Sequence, residues 1–372
     1  MRRPLTVVQL LPALSSGGVE RSTIEIAQAL VDAGHRAIVV SAGGRLVPAL
    51  EATGATHVSL DIGAKSLRVL RHVRALRRLF ADTGADIVHA RSRLPAWIGW
   101  WALRGMPEAC RPRFVTTMHG LNSPSRYSAI MARGERVICV SDTVRDYLLR
   151  HYPATPRERL RVVPRGIDPT RFPATPRPNP DARAEVASRW PALGGEGPLL
   201  LLPGRGTRLK GHHDAIALLA RLRATGLDAR LWMPGAREAG REAYLDELGR
   251  AAEAAGCAAA LAMTGPTDAI AHAYASSDLV LQLSRKPEAF GRTVLEALSC
   301  ARPVAGWAHG GVGELLAQLQ PEGAVAPFDQ DALMETARAL VTRPPRAVTM
   351  PDTLRAMQEA TLAVYDELDD DN

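Results

Sequence analysis

Residues 5–11 form an apolar run, Ser15-Ser16-Gly17-Gly18 a flexible turn, residues 19–33 an amphipathic stretch stopped by Gly34, and residues 37–41 a second apolar run. Apolar runs of this length suit strands buried on both faces, and the stretch between them has helical spacing. The segment therefore reads as a βαβ unit opening with a glycine-rich turn. This constrains the fold strongly, because parallel neighbours require a long crossover, usually a helix.

The alternation continues along the chain. Further strands are expected near residues 87–90, 114–118, 137–140 and 161–163, the last leading into the turn-rich Pro164-Arg165-Gly166-Ile167-Asp168. Residues 169–195 hold Pro169, Pro173, Pro176, Pro178 and Pro180 with few apolar anchors, the composition of a linker. A second series follows, with strands near 199–202, 229–233, 260–264, 279–283 and 303–306 and helices near 211–225, 240–255, 268–275 and 291–299. A last helix is expected over about 351–368, ending in an acidic tail. With 372 residues the chain is long enough for two cores. The prediction is an α/β protein with two Rossmann-like parallel-sheet domains, residues 1–168 and 196–348, facing across a cleft. In such sheets the loops after the strands carry the chemistry.

Charge is unevenly spread. The net charge is +7, but residues 1–180 contain 27 Lys and Arg against 13 Asp and Glu, leaving 19 against 26 in the rest. A basic front half suits an anionic partner such as a lipid surface, a phosphorylated glycan or nucleic acid. Aromatic residues are only 5% and no nucleic-acid motif is present, so nucleic acid is not expected. Cys110, Cys139, Cys257 and Cys300 lie far apart without metal-ligand spacing, which implies free thiols and a reducing compartment. Gln9 and Pro12 interrupt the first apolar run, making it a strand and not a secretory signal. No run approaches the roughly 18 apolar residues of a membrane span, so a cytoplasmic protein, soluble or lying on a membrane surface, is expected.

The strongest local motif is Glu288-Ala289-Phe290-Gly291-Arg292-Thr293-Val294-Leu295-Glu296. Gly291 opens a helix whose free N–H groups suit a diphosphate, and each glutamate can accept bonds from sugar or ribose hydroxyls. A glutamate at a helix start also has a plain electrostatic role. A second motif changes the balance: Pro203-Gly204-Arg205-Gly206-Thr207-Arg208-Leu209-Lys210-Gly211, directly after a predicted strand. A departing diphosphate develops negative charge. Without a divalent ion, fixed cations such as Arg205 and Lys210 must stabilise it.

Together these motifs and the glycine pair near the start resemble the retaining GT-B glycosyltransferases of family 4, in order along nearly the whole chain. The resemblance implies hexosyl transfer from a UDP- or GDP-linked sugar. It assigns Arg205 and Lys210 to the donor diphosphate, Glu288 to the transferred sugar and Glu296 to the ribose, with Phe290, Gly291, Arg292 and Thr293 around them. Gly17 and Gly18 match the family's first turn, against donor phosphate and acceptor. Thr116-Thr117-Met118-His119-Gly120 matches the segment whose histidine borders the reacting sugar, and Val140-Ser141-Asp142 matches a serine motif before a helix. The final segment, residues 349–372, is expected to cross back to the first domain.

Two positions depart from the family pattern. Arg165 stands where Asn is usual before Gly-Ile-Asp, and Gly313 replaces Pro in Gly310-Gly311-Val312-Gly313-Glu314. No Asp-x-Asp lies at a strand end, and Asp369-Asp370-Asp371 reads as a disordered tail. Neither a metal nor a cofactor is expected. Residues 66–80 are expected to form a basic amphipathic helix, with Leu67, Leu70, Val73, Leu76 and Phe80 on one face and arginines on the other. Such a helix suits an anionic membrane surface as well as a sheet. Relatives with a basic first domain often act on lipid-linked acceptors, including lipopolysaccharide core, so the resemblance points to a glycan or glycolipid acceptor at the cytoplasmic face of the inner membrane. An inverting transferase or a sugar-nucleotide epimerase would keep the same fold, and a non-catalytic membrane or nucleic-acid binder would keep the charge.

Overall fold

The computed structural model describes residues 3–15, 17–177, 179–348, 350 and 353–370. The chain forms two compact units, Met1–Arg165 with Leu354–Asn372, and Gly166–Thr353.

The first unit is built in the order β1 (Thr6–Leu10), α1 (Gly18–Asp32), β2 (Arg36–Ser41), α2 (Val47–Glu51), β3 (Thr56–Ser59), a 3-10 turn (Leu67–Arg71), α3 (His72–Thr83), β4 (Ile87–Ala90), α4 (Arg93–Arg104), β5 (Arg113–Met118), β6 (Arg136–Cys139), α5 (Asp142–His151) and β7 (Leu160–Val162). All seven strands are parallel, in the order β3-β2-β1-β4-β5-β6-β7. Val7 and Val39 face one buried layer with Ile26 and Leu30 of α1, while Val8, Leu10 and Val88 face the other with Leu76 and Phe80 of α3. Each such side chain contributes roughly 1.5–3 kcal/mol by leaving water.

The second unit contains α6 (Pro180–Arg189), β8 (Leu199–Leu201), α7 (His212–Ala224), β9 (Arg230–Pro234), α8 (Glu242–Ala254), β10 (Leu261–Thr264), α9 (Ile270–Ser276), β11 (Leu279–Gln282), α10 (Arg292–Ser299), β12 (Val304–Trp307), α11 (Gly310–Leu319), β13 (Ala324–Val325) and α12 (Gln330–Thr342). Its parallel strands run β10-β9-β8-β11-β12-β13. In each sheet the strand order reverses once, between β1 and β4 in the first and between β8 and β11 in the second. A crevice for ligand opens at such a reversal, beyond the carboxyl ends of the two strands.

The final helix, α13 (Thr353–Asp370), buries Met357, Val364, Tyr365 and Leu368 in the core of the first unit, beside Val7 and Ile138. Asp369 and Asp370 are helical, not a loose tail, and Asp369 pairs with Arg3 at 2.5 Å. Asp371 lies outside the described residues.

Two stretches differ from expectation. Residues 169–195 are more than linker. Asn179 caps α6 by accepting the Ala182 N–H at 3.1 Å, Pro180 occupies its first turn, and Arg183 reaches Asp278 at 2.8 Å. A proline in the first helical turn costs nothing there, so the spacing that suggests a linker also permits a helix. The preceding segment is clamped by the fully buried Arg302, which donates to Thr175 O at 3.1 Å and Pro176 O at 2.7 Å. Pro178 lies outside the described residues.

Over residues 66–80, Ser66 caps a 3-10 turn and the α-helix begins only at His72. Residues three apart eclipse in a 3-10 helix. Leu67 and Leu70 consequently share one row, and that row faces solvent at 86% and 46% exposure, while Val69, Leu76 and Phe80 are buried.

Candidate active site

In the second unit the reversal point brings together the loop after β8 and the loop after β11. Gly211 adopts φ 75°, and a Cβ there would stand 2.1 Å from the Leu283 carbonyl oxygen, so only glycine lets these loops touch. The close approach seats Lys210 Nζ 2.6 Å from Glu288 Oε1. Ser284 also donates to Glu288 Oε1, and Gln282 Nε2 lies 3.4 Å from Oε2. His309 anchors this loop by donating to the Ser284 carbonyl at 2.8 Å. Burial pushes the Glu288 carboxyl upward, but Lys210, Ser284 and His309 outweigh it and hold the group below the usual carboxylate range. The result is an ionised carboxylate beside an ammonium at the mouth of the sheet. Arg205 sits in the same loop, exposed and without a side-chain bond among the described residues.

The turn from Glu288 into α10 is equally tight. Gly291, at φ 113°, precedes the helix, and Phe290 is buried with its Cα 2.4 Å from the place a Cβ on Gly311 would take. The Gly311 N–H donates to Glu288 O at 2.8 Å. Glu296 is buried, with Oε1 3.1 Å from Arg292 Nε and Oε2 accepting the Tyr274 hydroxyl at 2.8 Å. Burial first and the Glu296 charge second push the Tyr274 phenol well above its ordinary value, so it remains a donor. Thr293 lies in the first turn of α10, within reach of Tyr274. At Gly313 a Cβ would lie 2.8 Å from the Ala308 carbonyl carbon, so the backbone has closed over the position where the family pattern has Pro.

In the first unit the polar residues gather at the ends of β1, β4 and β5. Gly17 takes φ 133°, a conformation open to glycine and strained for any L side chain, and Gly18 begins α1 with open space beside it. Ser16 lies outside the described residues. Arg91, only 3% exposed, donates from Nη1 to Gln9 Oε1 at 3.0 Å and from Nη2 to the Ser22 hydroxyl. Burial lowers its pKa to about 10, still charged at neutral pH. Arg165 also donates to Ser22 and, through Nη2, to His119 Nδ1. His89 bridges Tyr365 OH and Thr117 Oγ1, both at 2.6 Å. Burial, then the neighbouring guanidiniums, hold both His89 and His119 well below the usual histidine range. Ser141 caps α5 by accepting the Val144 N–H at 3.1 Å.

Sequence reasoning missed Ser284, His309 and Tyr274, which shape the two glutamates, and Gln9, Ser22 and Arg91, which support His119. Only Arg165 carried a signal, as a departure from the family pattern.

Residues 16–171 match the model for Glycosyltransferase Family 4, and residues 188–357 the model for Glycosyl transferases group 1. The chain is 30% identical to a 2-deoxystreptamine N-acetyl-D-glucosaminyltransferase of Streptomyces fradiae over 79% of its own length and 71% of the relative's. The protein is a family 4 glycosyltransferase. It is also 27% identical to D-inositol 3-phosphate glycosyltransferase 1 of Catenulispora acidiphila, over 90% of this chain and 85% of the other. Among solved structures, a Rickettsia africae glycosyltransferase superposes on this glycosyltransferase with a TM-score of 0.84 at 26% identity, covering 100% of both chains. The Anabaena protein HepE, solved in complex with UDP, gives a TM-score of 0.78 at 19% identity over 98% of this chain and 99% of that one. The fold of the glycosyltransferase is accordingly GT-B, with its two Rossmann-like parallel sheets.

Proposed function

We propose that this glycosyltransferase moves a hexose, with retention and without a metal, from a UDP- or GDP-linked sugar to a glycan or glycolipid acceptor of the cell envelope. One observation carries the donor reading: the Lys210–Glu288 pair at the strand reversal of the second unit. In this reading Lys210 and Arg205 take the diphosphate, as a point charge and a fork respectively. Glu288 accepts from a hydroxyl of the sugar, Glu296 serves the ribose, and the N-terminus of α10 with Gly291, Arg292 and Thr293 faces phosphate. HepE has been solved with UDP-glucose, which favours UDP among the donors.

The transfer breaks the C1–oxygen bond to the diphosphate and forms a bond from the acceptor hydroxyl oxygen to C1 on the same face. The hydroxyl proton passes to the departing phosphate oxygen, so the protein supplies no nucleophile. Charge stabilisation by Arg205 and Lys210 is then the main catalytic term. On the acceptor side, His119 and the Gly17-Gly18 turn of the first unit are proposed to contact the reacting sugar and acceptor.

An anionic lipid surface is the proposed setting. Leu67 and Leu70 are exposed among Lys65, Arg68, Arg71 and Arg74. On α4, which packs beside α3, Trp101 is 38% exposed. Tyr127 nearby is 44% exposed, and Arg133 lies over the Trp97 and Trp100 rings. Exposed leucine, tryptophan and tyrosine among arginines suit a headgroup layer. No helix among the described residues is long and apolar enough to cross a membrane.

The deciding experiment incubates the full chain with a panel of nucleotide-sugars and follows slow donor hydrolysis and product anomer, with and without EDTA. Selective hydrolysis of one UDP- or GDP-sugar, unaffected by EDTA, with the α-anomer kept from an α-donor is expected. Loss of activity in EDTA or an inverted anomer would sink the metal-free retaining reading.

A further inference from the structure

Arg165 occupies the loop after β7, where its two terminal nitrogens are used differently. Nη1 donates to the Ser22 hydroxyl and Nη2 meets His119 Nδ1. A guanidinium has five N–H donors and no lone pair to accept with. His119 Nδ1 must therefore be the acceptor. An imidazole that accepts at Nδ1 carries its single proton on Nε2, and an imidazolium, protonated on both nitrogens, cannot make this bond at all. His119 Nε2 is sealed from solvent and has no partner among the described residues.

We infer that Arg165 is a positioning residue that fixes His119 as a neutral Nε2–H donor for a substrate oxygen. The inference deepens the proposed reaction and rests on His119 bordering the transferred sugar. A buried donor left unpaired is unusual in folded proteins, and a sugar hydroxyl oxygen or a phosphate oxygen would satisfy it. The tautomer also excludes a role: with Nδ1 occupied and Nε2 already protonated, His119 cannot take a proton from the acceptor hydroxyl. It orients and does not act as a base.

Arg165 is itself held in place. Ser22 on α1 accepts from both Arg165 and the buried Arg91, Arg91 is fixed by Gln9 Oε1 at 3.0 Å, and Gln9 donates in turn to Thr23 O at 3.1 Å. The charged and titratable groups facing the ring are Arg165, Arg91 and His89, all of which oppose its protonation. The Arg for Asn departure at position 165 thus has a function. The longer side chain reaches both Ser22 and the ring.

The test uses full-length protein labelled with ¹⁵N-histidine, with His119 assigned by difference against His119→Gln. Long-range ¹⁵N–¹H correlation should show the proton on Nε2, with protonation only well below the ordinary histidine range. Arg165→Met should give mixed tautomers, protonation nearer the ordinary histidine range, and a fall in kcat of about tenfold or more with little change in donor KM. Arg165→Lys, which keeps a donor, should restore the Nε2–H signature. A proton on Nδ1 in the wild type overturns the inference, as does a wild-type spectrum in Arg165→Met. If Arg165→Met fails to fold, the wild-type and Arg165→Lys spectra decide. The expected spectra combined with wild-type turnover in His119→Gln would uphold the tautomer and reject the role of His119 in the reaction.

Discussion

Lys210 Nζ lies 2.6 Å from Glu288 Oε1, and this contact ties the loop after β8 to the loop after β11. Both side chains are more than two-thirds buried, so the pair is shielded from the water that weakens surface ion pairs. It also leaves the second unit with an ionised acceptor and a cation side by side before any ligand arrives.

Replacing Lys210 with Met should lower turnover by roughly 10²–10³, the scale of losing a group that stabilises developing charge. The pH profile should change as well. Glu288 is held below the usual carboxylate range against burial, the largest single influence on it. Removing Lys210 takes away both the charge and the hydrogen bond that lower it most, so the Glu288 pKa rises and the acidic limb of activity moves to higher pH. An unmoved limb in Lys210→Met would separate Glu288 ionisation from catalysis.

Gly211→Ala should damage the same region by a different route. The new methyl would meet the Leu283 carbonyl oxygen, in a backbone conformation that costs an L-residue about 1–2 kcal/mol on its own. Thermal denaturation should show a lower midpoint, and nucleotide-diphosphate should stabilise the variant less than the wild type.

Acid should weaken the first unit through His89. The native pKa of His89 lies well below 6.5, so above pH 6.5 both native and unfolded states are neutral and stability is complete. As pH falls below 6.5 the unfolded chain binds a proton that the native state refuses. Stability is then lost at up to about 1.4 kcal/mol per pH unit, until the native value is reached. His119 adds a second contribution of the same sign. Urea melts between pH 7 and 5 should show a steep slope in the wild type and a shallower one in His89→Gln.

Flotation with vesicles of anionic and neutral lipid tests the surface around the 3-10 turn. Binding should require anionic lipid and fall with salt, since each Arg contributes roughly 1 kcal/mol near a charged surface. The Leu67→Ser, Trp101→Ala double variant should bind more weakly at equal charge. Binding that persists unchanged in that variant would remove the aromatic and leucine row from the interface.

Much of the architecture was legible because strands buried on both faces, such as Val7–Val8 and Leu199–Leu201, appear as apolar runs. The edges were not. β3, Thr56–Ser59, is polar and partly exposed, and β13, Ala324–Val325, is two residues long, so neither leaves an apolar run to read. Helix α6 hides behind Pro180. Lys210 and Glu288 were each legible as charged residues in a loop after a predicted strand, but their contact with one another was not. Ser284, His309 and Tyr274 leave no trace, because a single polar residue reveals its partner only when the fold closes across 4, 25 or 22 positions.

Helix α13 gives the chain an order of assembly. Met357, Val364, Tyr365 and Leu368 complete a core whose strands are made before residue 163, yet they emerge from the ribosome only after the whole second unit. During translation the first unit must wait with an open apolar groove, and His89 with its Tyr365 partner missing, while the later unit can already fold. Completion of the first unit's core therefore waits for α13, and a stalled or clipped chain would present that groove to chaperones.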